Sequence, residues 1–86
     1  MTQTQKPSPG RIVIVAGIEA TTNNGATEAP GIITRVWSDD LVNVRIFTDA
    51  DNMIQSRTSV PLYATDKEYG KVAGEKPLGC YWPPRV

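Results

Sequence analysis

Residues Ile32 to Phe47 read IITRVW, SDD, LVNVRIF, and the alternation in the last seven decides the fold. Val42, Val44 and Ile46 fall on one face of an extended chain, with Leu41, Asn43, Arg45 and Phe47 on the other. That is the period-two pattern of a strand buried on one side only. The polar link Ser38-Asp39-Asp40 has the length that joins antiparallel neighbours, so Ile32 to Trp37 and Leu41 to Phe47 are expected to form a hairpin.

Upstream, Ile12-Val13-Ile14-Val15 is β-branched throughout, bounded by Gly10 and Gly17 and too short for a helix; it reads as a strand covered on both faces or rolled into a barrel. Between it and the hairpin, Ile18 to Gly31 holds turn formers with no apolar period, which predicts a long loop and a candidate binding flap. Downstream, Thr48 to Asn52 reads as a turn and Met53 to Tyr63 as a broken strand, with Pro61 near its end. Ala64 to Gly74 has the one helix-like composition, capped by Thr65 or Asp66 and limited to a turn or two by Gly70 and Gly74. A closing strand is expected around Cys80 to Trp82, before Pro83-Pro84 ends pairing.

Residues 1–10 lack any hydrophobe after Met1 and read as a flexible arm, leaving residues 11–86 as a single domain. Four to five short antiparallel strands with at most one short helix predict an all-β fold, a small open barrel resembling the Src-homology-3 type. Its expected core is Ile12, Ile14, Ile32 or Ile33, Val36, Val42, Val44, Ile46, Val60 and one C-terminal aromatic. So small a core predicts marginal stability, which association into a homo-oligomer would raise.

The chain has 86 residues, and its nine Lys and Arg balance nine Asp and Glu, so no overall attraction to polyanions or anionic lipid is expected. Nucleic acid and membranes are therefore not expected as partners, and no apolar run approaches the length of a span. No signal-like segment opens the chain and Cys80 has no partner for an internal disulfide; a reducing, intracellular location is expected. The absence of histidine removes the commonest general base and the usual Ser-His and Cys-His pairs. No enzyme activity, cofactor or metal is expected. Asp39-Asp40 and Asp49-Ala50-Asp51-Asn52 read as turn residues, because the pattern of a calcium loop does not follow. No phosphate-binding glycine loop is present.

The segments RVWSDDLVNVRIFTDADN, RTSVPLY and YWPPRV, in that order, resemble a set of short proteins encoded by tailed bacteriophages and prophages. The matching residues are Gly10 to Val13, Val36-Trp37, Val42-Asn43, Thr58 to Val60 and Trp82 to Arg85. Cys80-Tyr81-Trp82-Pro83 stands where those proteins often carry Trp-His-Trp-Pro. The resemblance implies a phage origin and an accessory role in the host cytoplasm, or in the virion if the role is structural.

What remains for function are aromatic and cationic side chains at positions that tend to be exposed: Arg35, Trp37, Arg45, Arg57, Tyr81, Trp82 and Arg85. Aromatic faces beside guanidinium groups stack planar rings and grip phosphates. The competing reading places Trp37 and Trp82 in the core and leaves the arginines solvating the surface. The terminal Trp82-Pro83-Pro84-Arg85-Val86 reads as a stiff end that docks on a neighbour or packs across its own barrel. Two functions compete: capture of a nucleotide-like immune signal of a host antiphage system at a site between subunits, and a structural or adaptor role in the virion or a phage-host complex.

Overall fold

A computed structural model describes residues 6–18, 23–49, 54–71 and 78–83. Five strands and one helical turn follow in the order β1 (Ile12–Ala16), β2 (Glu28–Ser38), β3 (Leu41–Phe47), β4 (Ile54–Tyr63), α1 (Asp66–Gly70) and β5 (Gly79–Tyr81). β1 to β4 form an antiparallel meander, and β5 returns to lie between β1 and β4, making a closed barrel. The small all-β barrel with one short helix is therefore present, closed rather than open. Its last seam is parallel: Leu62 and Tyr63 of β4 pair with Cys80 and Tyr81, while β1 meets β5 antiparallel.

Val42, Val44 and Ile46 are buried as their alternation requires, and Ile33, Val60 and Leu62 join them. The face of β1 is the reverse of the expected one. Val13 and Val15 point inward with no exposure, Ile14 is half-buried, and Ile12 is 50% exposed. Four β-branched residues in a row carry no parity, so the neighbours choose. Val13 lies opposite Gly31 and Val15 opposite Ala29, two small residues that leave inward room for valine. Ile33, not Ile32, faces the core, and Val36 is only half-buried.

The expected loop from Ile18 to Gly31 is shorter than its composition suggests, since Glu28 to Gly31 belong to β2. Gly17 N–H donates to Thr27 O and Ile33 N–H to Arg11 O, so the odd-numbered residues of β2 carry the ladder to β1. Pro30, opposite Ile14, falls between those bonds with its nitrogen turned away from β1, where a missing N–H breaks nothing. Gly31 is where β2 passes from pairing with β1 to pairing with β3 as well. A Cβ there would meet Val15 Cγ2 at 2.8 Å and Arg45 O at 3.0 Å, so only glycine fits this crossing.

The helical turn matches its sequence signal: Thr65 is extended, and its hydroxyl accepts from Glu68 N–H at 3.2 Å. Of the expected N-terminal arm, residues 1–5 lie outside the described residues, and Gly10 N–H donates to Ile33 O. No helix among the described residues is long and apolar enough to cross a membrane.

Candidate functional site

Arg35, Trp37, Asn43 and Arg45 share the outer face of β2 and β3. Arg35 pairs with Asn43 and Ile32 with Arg45, and the bulge at Thr34 turns Arg35 outward after the inward Ile33. Trp37 is 52% exposed. Its orientation is fixed twice: the indole N–H donates to Asn43 Oδ1 at 2.8 Å, and the Arg35 guanidinium lies 4.3 Å from the ring centroid. Asn43 Oδ1 also accepts from Ser59 N–H at 2.9 Å. Ser59 has φ +55°, in the bulge of β4 between the pairs Val42/Val60 and Val44/Arg57. One asparagine thus ties an exposed tryptophan to an irregularity two strands away. Sequence reading passes over Asn43, whose only signal is an amide at an outward position between two inward valines.

Arg57, opposite Val44, runs along its own strand, donating through Nη1 to Ser56 O at 3.1 Å and through Nη2 to Gln55 Oε1 at 2.9 Å. Arg45 is exposed and forms no ion pair within the described residues.

Tyr81 and Trp82 are not part of this face. Trp82 is 4% exposed and belongs to the core with Val13, Val15 and Cys80. Its N–H has no partner among the described residues, and the Arg11 guanidinium lies 4.6 Å from its ring centroid. Tyr81 packs with Tyr69 and Ala16, with Tyr63 against them, and its hydroxyl donates to Glu28 Oε2 at 2.8 Å. Burial raises the Tyr81 hydroxyl above its ordinary range, and the bond to Glu28 raises it further. Tyr69 moves the same way, by burial and by the Glu28 charge. Cys80 is fully buried, donates to Pro61 O at 3.4 Å, and is pushed up to about 12 by burial, which leaves a neutral, unreactive thiol. Arg85 lies outside the described residues.

The expected flap is tied down where it is described. Asn24 (φ +50°) and Gly25 (φ +94°) occupy the centre of a tight turn closed by Ala26 N–H on Asn23 O, the left-handed pair for which Asn-Gly is suited. Asn23 is 3% exposed; its amide donates to Ala26 O and Glu28 O, and its Oδ1 accepts from Asp49 N–H. Asn24 adds a bond to Asp49 O. These contacts fasten residues 23–27 to the chain following β3. Residues 19–22 lie outside the described residues.

The chain matches no protein-family model, no curated protein and no solved structure.

Proposed function

We propose that this chain is a non-enzymatic binding module of phage origin that takes a ligand with a planar ring and an anionic group on the outer face of β2 and β3. The carrying observation is Trp37: half of it stands in solvent, yet Asn43 and Arg35 hold it in one orientation. An exposed indole that is already ordered loses little entropy when a base stacks on it. Arg35 against its ring, and Arg45 farther along the same face, supply the charge that a phosphate requires. A nucleotide signal of a host antiphage system has this chemistry, and sequestering it needs no reacting group.

The barrel interior is filled by its own side chains, so the ligand is held on the outside, where one copy covers only one side of it. The proposal therefore includes a homo-oligomer in which a second copy covers the other side. It also places the protein in the host cytoplasm, where such signals are made.

The test is a thermal-shift and equilibrium-dialysis series with cyclic dinucleotides, cyclic trinucleotides and cyclic ADP-ribose. Saturable binding that Trp37→Ala abolishes in a protein of unchanged fold is the expected result. Absence of a shift with every compound overturns the reading. A second reading, a structural or adaptor protein, draws on Ile12, Phe47 and Ile54, large apolar residues left 50%, 40% and 52% exposed. Detection in purified particles by mass spectrometry, with no nucleotide bound, would favour it.

A further inference from the structure

The two ends of β4 have different neighbours. Leu62 and Tyr63 are covered by β5, whereas no strand among the described residues lies beside Ile54 to Ser59 on the side away from β3. Which backbone groups face that open side follows from two bonds. Leu62 N–H donates to Asp40 O, and Ile33 N–H donates to Arg11 O. Counting along β2 and β3 from either one turns the amides and carbonyls of Val42, Val44 and Ile46 toward β4. Gln55 and Arg57, opposite Ile46 and Val44, therefore bond to β3, and Ser56 presents its N–H and C=O outward. Its carbonyl is the one that Arg57 Nη1 covers.

We propose that this open edge of β4 receives an extended segment of a partner protein, added as a sixth strand, and that Arg57 is the latch that leaves Ser56 O when it docks. The surroundings specify the segment. Ile54 shares an outer face with its cross-strand partner Phe47, both exposed, so the residue opposite Ile54 is apolar. Ser56 shares that face with its partner Arg45, a cation without an ion pair within the described residues, so the residue opposite Ser56 is acidic. The segment thus reads apolar, any residue, acidic in either direction. This edge does not involve Trp37, although Arg45 belongs to both surfaces, and it goes beyond the ligand reading.

The probe is a fluorescein-labelled peptide, Thr-Val-Thr-Glu-Thr-Val-Thr amide, followed by anisotropy against the full chain. Saturable binding is expected, weakened about fivefold by a peptide with Gln in place of Glu or by Arg45→Gln. Arg57→Ala is expected to tighten binding about threefold, because the carbonyl no longer has to be uncovered. Ser56→Pro removes only an outward N–H, leaves the β3 ladder intact, and is expected to weaken binding at least about tenfold with little change in melting temperature. Equal binding by Ser56→Pro, weaker binding by Arg57→Ala, or no saturation by about 1 mM peptide overturns the proposal. Ser56→Pro leaves nucleotide binding intact and Trp37→Ala leaves peptide binding intact, so the two proposals fail separately.

Discussion

Both tryptophans carry an arginine over the ring, yet the two regions serve opposite ends. At the outer end of β2, Trp37 keeps half its surface in water and its N–H bonded to Asn43. Beyond β5, Trp82 is sealed among valines and Cys80, its N–H without a partner among the described residues. Cation and ring are common to both, so the contact alone says little about a role. Burial decides which indole supports the barrel and which is left open to solvent, and the partner of the N–H shows how closely the ring is held in place.

The largest blow to this contrast is Trp82→Ala, expected to remove about 3–5 kcal/mol from unfolding measured in urea, enough to leave a small barrel largely unfolded. Trp82→Phe should cost far less than Ala, because it keeps most of the packing and removes the unsatisfied donor. Alkali gives the next largest separation. Cys80 stays protonated in the folded barrel up to about 12, while an unfolded thiol ionises near 9. The unfolded chain therefore holds fewer protons over that interval, and stability falls as pH rises from about 9 toward 12. Tyr69 and Tyr81, raised in the same direction, steepen the loss. Urea midpoints across that range measure it, and Cys80→Ala should make the slope shallower.

On the exposed side the effects shrink. Asn43→Ala strands both the Trp37 N–H and the Ser59 N–H near solvent and should cost about 1–2 kcal/mol, with broadened indole fluorescence as Trp37 loses its fixed pose. Trp37→Ala should change stability by roughly 0.5 kcal/mol or less while removing ligand binding. A Trp37→Ala protein as unstable as Trp82→Ala would erase the distinction between the two regions.

How far the sequence speaks depends on whether a segment carries contrast. β3 alternates valine and isoleucine with asparagine and arginine, and its buried face is legible from the residues alone. β1 offers four β-branched residues, and its inward pair is set by Gly31 and Ala29 across the ladder, which no local pattern reveals. Pro30-Gly31 has the chemistry of a turn, yet it lies in a strand because Pro30 needs no N–H on that side and Gly31 sits where a Cβ would strike the Val15 side chain and the Arg45 carbonyl. Of the candidate site, Arg45 faces outward as alternation in β3 requires, whereas Arg35 and Trp37 join it only because the bulge at Thr34 resets the alternation of β2. Tyr81 does lie on the outer side of β5, opposite Ile14, but Tyr69 of α1 and Tyr63 cover it there, while Trp82, just past the strand, turns into the core with Val13, Val15 and Cys80. Asn23 and Asn43 were illegible for another reason: an amide's role appears only once distant strands bring it partners.

Ring closure rests on β5, which joins a strand more than sixty positions earlier in the chain. The β2–β3 hairpin needs only its own short link and assembles at little entropic cost, whereas the final seam must bring together remote stretches of polypeptide. Without Gly79 to Trp82 between them, Val15 and Leu62 have no strand to pair with on that side. Any shortening that removes those few residues takes away Trp82 and the closing seam together, a larger loss than Trp82→Ala, and would leave a chain unable to hold the barrel.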